Sequence, residues 1–315
     1  MKLVFCGTPS FAVPTLKAVL RAGHEVALAV MQPDRPGGRG LKTVVPPVKQ
    51  TALDAGIPFV QPEKIKSNTE FRGQLEHISP DAILVVAYGR IIPKWMLDLP
   101  RFGNLNLHGS LLPKYRGAAP IQWAVANGEP TTGVTTMRLD EGLDTGDILM
   151  QRELAIAPDQ TSQAFYPLLA EMGAALMVET LDALASNTIT PQKQDDSLAT
   201  LAPILTREDG RMDFSHPAMW IYNRWRGFQP WPGAWTTLGG KKLTAHRLMP
   251  LEPSALSAGP TDPGEVHIEE GRFYARCGDR TWLEFVELQI EGKKRMPAAD
   301  FLRGHSLKTG DRLGV

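Results

Sequence analysis

Asn106 and His108 stand two residues apart in the stretch Asn106-Leu-His108-Gly-Ser-Leu-Leu-Pro113. At strand spacing that separation points both side chains to one face, together with Asn104. An amide N–H and an imidazole side by side can donate hydrogen bonds to an oxygen on which negative charge develops. Each residue alone also fits a satisfied polar group in a core; the pair, followed by a Gly-Ser-Leu-Leu-Pro corner, points to a site at a strand end. Ser110 lacks the GxSxG surroundings of a nucleophile elbow. A second stretch, Leu139-Asp-Glu-Gly-Leu-Asp-Thr-Gly-Asp147, alternates carboxylates with glycines. Such a loop turns sharply and presents acids, and its Asp144 could orient His108 and balance its charge. A plain acidic turn is the competing reading. An EF-hand does not fit, because the ligand order and the final Glu are wrong.

Other charged and aromatic features carry weaker chemistry. Gln32-Pro-Asp-Arg-Pro-Gly-Gly-Arg-Gly-Leu-Lys42 is a glycine-rich loop with Arg35, Arg39 and Lys42 against Asp34, and Lys49 follows. It suits a segment that orders on a phosphate backbone, and equally a solvated surface loop. Lys293, Lys294, Arg295 and Arg303 could extend such a patch or form an ordinary solvated face. Trp220, Trp225, Trp231 and Trp235 cluster around prolines and read as packing between domains rather than as base-stacking platforms. Gly7-Thr-Pro is a turn without the second and third glycines of GxGxxG, which disfavours a nicotinamide dehydrogenase. Cys6 lies in an apolar run and reads as a small buried hydrophobe; with Cys277 it has neither metal nor redox-pair spacing. No His, Cys and carboxylate cluster has ligand spacing, so no metal is expected.

These residues need a scaffold. Leu3–Cys6, a turn, an amphipathic stretch from Phe11 to Ala22 and the apolar run Val26–Met31 read as strand, helix, strand, the beginning of a parallel α/β sheet. The apolar run over 81–88 predicts a central strand covered on both faces. Asn104–His108, Thr132–Leu139 and Ile148–Leu154 predict further strands, and Thr161–Leu184 a long helix. Residues 187–206 turn polar and proline-punctuated. Beyond them, a short helix holding Trp220 to Trp225 precedes closely spaced strands at Lys242–Leu248, Glu265–Ile268, Arg272–Cys277 and Thr281–Leu288. That rhythm predicts a small β-barrel.

The composition agrees with two globular domains. The chain has 315 residues, 43% hydrophobic and 22% charged. With 34 basic and 34 acidic residues the net charge is zero, so a nucleic acid would have to meet a local patch. No leader-like apolar segment follows the start, and no run approaches the ~18 residues of a membrane span. The expectation is a cytoplasmic chain, and a monomer, since no apolar stripe demands a partner. The domains expected are 1–188, a linker over 189–206, and 207–315.

Asn106-x-His108-x-Ser-Leu-Leu-Pro113, Tyr115-x-Gly117 and Asp140-x-Gly-x-Asp144-x-Gly146 together resemble the folate-dependent formyltransferases. The likeness extends over almost the whole chain. It includes Gly7-Thr-Pro9, Gln32 to Pro36 with Gly38-Arg-Gly40, Pro47-Val-Lys49, Val86-Ala-Tyr-Gly89, Gly117 to Gln122, Trp231-Pro232 and Gly292-Lys-Lys294. Within the family it is similar to the branch whose acceptor is initiator methionyl-tRNA. The resemblance implies a Rossmann-like catalytic domain and an OB-like C-terminal domain that holds tRNA. It implies 10-formyltetrahydrofolate as donor and the methionine α-amino group as acceptor. Asn106 and a protonated His108 would meet the oxyanion, with Asp144 as proton shuttle. The pterin would lie near Val86, Tyr88, Arg90, Ser110, Leu111, Leu112, Pro113 and Asp140, read mainly by backbone groups. The tRNA would meet Arg35, Arg39, Lys42, Lys293 and Lys294. Two positions depart from the family pattern: Gln229 where Asn is common, and Ile204 where the linker often carries lysine. The same chemistry on a small amine, such as an amino sugar nucleotide or glycinamide ribonucleotide, is the alternative. A non-catalytic RNA-binding protein is the rival from another class.

Overall fold

A computed structural model of the chain describes residues 1–37, 42–256 and 259–314. Arg39 therefore lies outside the described residues. Two compact units emerge. The first comprises Met1–Pro120, Thr131–Ala155 and Ala164–Pro203; the second comprises Ile121–Pro130, Ile156–Gln163 and Ile204–Val315.

The chain begins with β1 (Lys2–Gly7), α1 (Ala12–Arg21) and β2 (Glu25–Val30), as the apolar runs predict. A short hairpin follows, β3 (Arg35–Gly37) and β4 (Lys42–Val44), paired antiparallel. Then come α2 (Pro47–Asp54), β5 (Phe59–Val60), α3 (Thr69–Ile78), β6 (Ala82–Val86), α4 (Lys94–Leu97) and β7 (Asn104–His108). After β8 (Arg116–Gly117) and α5 (Pro120–Ala126), the strands β9 (Thr131–Arg138) and β10 (Ile148–Ala155) lead to α6 (Ser162–Ala185) and β11 (Leu201–Ala202). Seven strands form one sheet in the order β10-β9-β7-β6-β1-β2-β5. The five from β7 to β5 run parallel, and β9 and β10 are antiparallel additions at one edge.

Both faces of the sheet are covered, which explains the uninterrupted apolar strands. All five residues of β6 are buried. On one side Val4, Cys6, Leu28, Val30, Ile83 and Val85 pack with Phe71 and Leu75 of α3. Cys6 is fully buried, and burial pushes its thiol well above the ordinary value, so it behaves as a small apolar residue. The order of β2, β1 and β6 reverses direction of travel at β1. Open α/β sheets place their ligands in the crevice beyond strand C-termini at such a point.

The second unit contains α7 (Ala218–Gly227), β12 (Ala234–Leu238), β13 (Lys241–Leu251), β14 (Val266–Glu269), β15 (Arg272–Arg276), β16 (Trp282–Ile290), β17 (Met296–Pro297) and α8 (Ala298–Gly304). These strands make an antiparallel sheet in the order β12-β13-β16-β15-β14, with β17 on β16. The helices α7 and α8 pack on β13 and on β15 and β16. Phe273, Phe285, Phe301, Leu243 and Leu283 are fully buried in the core between them.

The tryptophans divide. Trp225 and Trp235 are buried, and Trp225 belongs to the core of the second unit. Trp220 stacks on His216 (ring centroids 3.8 Å apart) and lies 3.9 Å from the Arg224 guanidinium carbon. Trp231, against the expectation of packing, is 56% exposed. Among the described residues, no helix is long and apolar enough to cross a membrane.

Candidate active site

The strand β7 runs between β6 and β9, with Asn106 opposite Val85 on one side and Met137 on the other. Its buried Asn104 donates to the carbonyls of Met96 (2.8 Å) and Leu97 (3.2 Å), which ties α4 to the strand. Asn104 is thus a structural amide. Asn106, two residues on, is half-buried, and its side chain makes no hydrogen bond among the described residues. Its amide is left open to a ligand.

His108 is buried at the end of β7. Its Nε2 lies 2.8 Å from the Tyr115 carbonyl oxygen, so that nitrogen carries a proton and donates it. The other nitrogen, Nδ1, lies 3.6 Å from Asp144 Oδ2, and the exposures of the two side chains are 6% and 12%. The imidazole is thus held between a main-chain carbonyl and a carboxylate. The same Asp144 oxygen accepts a 2.8 Å hydrogen bond from the Gly117 N–H. His108 and Asp144 stand 36 positions apart in the sequence, and the sheet edge brings them together.

The local backbone is unusual at both supports of His108. Tyr115 has φ +62° and Asp144 φ +53°, in the left-handed region that side chains rarely adopt. Asp144 is held there from behind. Gln194 Nε2 donates to the carbonyl oxygens of Asp144 (2.8 Å) and Gly146 (2.7 Å). Gly146 must be glycine: a Cβ there would sit 1.9 Å from the Arg138 carbonyl oxygen. Gly117, at φ +122°, likewise leaves no room, since its Cβ would lie 2.7 Å from the Ala202 carbonyl oxygen.

The Ser110–Pro113 corner is held by Thr135. That fully buried hydroxyl donates to the Ser110 carbonyl (2.6 Å) and accepts from the Leu112 N–H (3.1 Å) and Gln151 Nε2 (2.9 Å). Ser110 itself is fully buried and donates to the Lys114 carbonyl at 2.6 Å. The side chains of Val86, Tyr88 and Leu112 are also buried, so what they present to a ligand is main chain. Leu111, Pro113 and Arg90 are half-buried, and Arg90 donates to the Glu63 carbonyl. Asp140 is exposed, but its carboxylate accepts from the Gly142 N–H (2.9 Å) and the Thr145 hydroxyl (2.7 Å), locking its own turn. Among the described residues no group of three or more His, Cys, Asp and Glu side chains converges.

Of the basic residues, Arg35 is exposed on the β3–β4 hairpin, and Lys293 and Lys294 are exposed in the turn before β17. Lys42 contributes its backbone to β4, opposite Gly37. The base of the hairpin is pinned by Asp34, which pairs with Lys49 at 2.5 Å and accepts from Gln61 at 2.7 Å. These two partners hold the Asp34 carboxyl below its ordinary value.

The sequence reading missed Gln194, Arg116, Thr135 and Gln151. Residues 192–202 read as a bare polar connection, yet they are hydrogen-bonded into the first unit. Gln192 bridges Ile148, the Thr200 hydroxyl accepts from the Tyr115 N–H at 2.8 Å, and β11 pairs with β8. Nothing in a polar stretch of a single sequence marks which amide will be buried.

A parallel sheet carrying an Asn-His pair against an aspartate loop, with a separate antiparallel domain, defines the class. The chain belongs to the formyl transferase family: the family's description matches residues 1–181, and that of its C-terminal domain matches 204–306. The methionyl-tRNA formyltransferase of Acidobacterium capsulatum is 69% identical over 315 residues, covering 100% of both chains. That of Koribacter versatilis is 55% identical over 314 residues, covering 100% of this chain and 99% of its own. Among solved structures, WlaRD, a sugar 3N-formyl transferase, shares the fold at TM-score 0.65 and 18% identity, over 93% of this chain and 99% of its own. HypX from Aquifex aeolicus in complex with tetrahydrofolic acid does so at TM-score 0.62 and 17% identity, over 98% and 48%.

Proposed function

We propose that this chain transfers the formyl group of 10-formyltetrahydrofolate to the α-amino group of methionine on initiator methionyl-tRNA, in the cytoplasm and without a metal. The observation that carries the reading is the 69% identity, over the whole of both chains, to a methionyl-tRNA formyltransferase. In this reading residues 1–188 bind folate and carry the chemistry, 189–206 lead on to the second domain with 192–202 hydrogen-bonded to the first unit, and 207–315 hold tRNA.

The folate supplies a formyl carbon open to attack by an amine. The groups available fit such a guest: an open Asn106 amide, the main chain at Ala87 and Gly89, and a His–Asp pair at the strand end. When the amine attacks, charge builds on the formyl oxygen. Asn106 donates to it directly. His108 adds a second donor on releasing the Tyr115 carbonyl, which its Nε2–H otherwise occupies. The bond between the formyl carbon and the folate nitrogen then breaks; the attacking nitrogen loses a proton and the departing folate nitrogen gains one. Asp144, directly or through a water, carries that proton and balances charge on His108.

For the acceptor, Arg35 and Lys42 on the hairpin, Arg39 from the sequence between them, and Lys293 and Lys294 in the C-terminal domain are the proposed phosphate contacts. The test offers 10-formyltetrahydrofolate with charged initiator methionyl-tRNA and amino sugar nucleotides in competition. Transfer to the tRNA that vanishes in His108→Ala supports the reading. Transfer only to the small amine keeps the site and overturns the acceptor; no transfer to either leaves an RNA-binding protein.

A further inference from the structure

A buried amide from the segment that reads as a linker reaches the back of the site. Gln194 is 6% exposed. Its Nε2 spends both hydrogens on the main chain of the aspartate turn, on the carbonyls of Asp144 and Gly146. Its Oε1 accepts two hydrogen bonds from Arg116, from Nε at 3.0 Å and Nη2 at 2.9 Å. Arg116 is 7% exposed and reaches Asp196 with the same Nη2 at 2.8 Å. Every polar atom of the Gln194 amide is therefore used, in a place where a lost partner is not replaced by water.

The two things Gln194 joins are the two supports of His108. Arg116 directly follows Tyr115, whose carbonyl holds Nε2; Asp144 faces Nδ1. The Asp144 carboxylate is aimed by a backbone at φ +53°, a conformation that a loop would abandon if nothing pinned its carbonyls. A displacement of about 1 Å in a reacting group can cost on the order of a hundredfold in rate.

We propose that Gln194 is a positioning residue for formyl transfer. It fixes the Asp144–Gly146 turn against Arg116 and so sets the carboxylate opposite His108. The inference rests on the catalytic reading of Asn106, His108 and Asp144 given above. It makes the segment between the domains a working part of the site: a change in residues 192–202 reaches His108 without touching a substrate.

The informative variant is Gln194→Glu. It keeps the size and the acceptors for Arg116, but sets a carboxylate oxygen against two carbonyls. Formylation of charged initiator tRNA by 10-formyltetrahydrofolate is measured with Gln194→Glu, Asp144→Asn and the double variant, alongside thermal melts. The expected result is a kcat lowered ten- to a hundredfold with the KM for both substrates within about twofold and the fold retained. The double variant is then no slower than Asp144→Asn alone, because both changes act on one device. Gln194→Met, which buries no charge, serves for the same cycle if Gln194→Glu does not fold. Parent-like kcat in the folded variant, losses that multiply in the double variant, or a loss confined to KM each overturn the proposal. If Asp144→Asn itself turns over at the parent rate, the catalytic reading falls instead.

Discussion

At the scale of single residues, two neighbouring asparagines on the same face of one strand have opposite fates. Asn104 spends its amide on two carbonyls of α4, while Asn106 keeps its amide open at the strand's end. Removing the first would loosen packing; removing the second would take a donor from the developing oxyanion. Loss of one such donor typically costs about 2.7–4 kcal/mol of transition-state stabilisation. Asn106→Ala and His108→Ala are each expected to lower kcat at least about a hundredfold, with tRNA affinity unchanged in a filter-binding assay. Near-parental turnover in either would refute its role. The spacing of Asn106 and His108 was legible from alternation along a strand. The commitment of His108 Nε2 to the Tyr115 carbonyl was not, since it depends on a left-handed residue seven positions away.

At the scale of elements, the loop from Leu139 to Asp147 depends on the missing side chain of Gly146. Gly146→Ala would drive a Cβ into the Arg138 carbonyl, an overpacking that costs at least about 1–3 kcal/mol. Urea unfolding should record that loss, and activity should fall with it, because the same turn carries Asp144. The hairpin β3–β4 answers to pH instead. Asp34 is held below its ordinary value of 3.8 by Lys49 and Gln61. Its contribution is fully present above the unfolded value and is lost as pH falls through the lower folded one. Amide exchange in Arg35–Gly37 should therefore quicken, relative to the rest of the sheet, as pH drops below about 4. Asp34→Asn should remove that dependence; exchange that tracks pH equally in the variant would count against the pin. The strands of the sheet were legible because each is a continuous apolar run. The hairpin was not, as the glycines between Arg35 and Lys42 are not flanked by alternating apolar runs.

At the scale of the whole molecule, each unit holds one buried thiol, Cys6 in the first and Cys277 in the second. Burial pushes Cys277 up to about 12, and Cys6 higher still. Alkylation needs the thiolate, so neither should react in the native protein at pH 8. Pulse alkylation through a urea titration then reads the two units separately. Concerted labelling would mean that they unfold as one; staggered labelling would give each its own stability. Labelling of either thiol without denaturant would contradict its burial.

Local pattern determined much of this protein. The apolar runs specify the parallel sheet, and alternation in Asn104–His108 specifies which side chains share a face. The acid–glycine rhythm specifies a sharp turn near Asp144. Those features depend on residues within a few positions of one another, where sterics and strand period act directly. What only the tertiary structure decided is who meets whom across long separations. Asp144 facing His108, Thr135 locking the Ser110–Pro113 corner, and Gln194 gripping the aspartate turn from a stretch that reads as a linker are all of this kind. Each is a single polar pairing chosen by the packing of the sheet. A buried amide with four satisfied hydrogen bonds has the same local sequence as an exposed one.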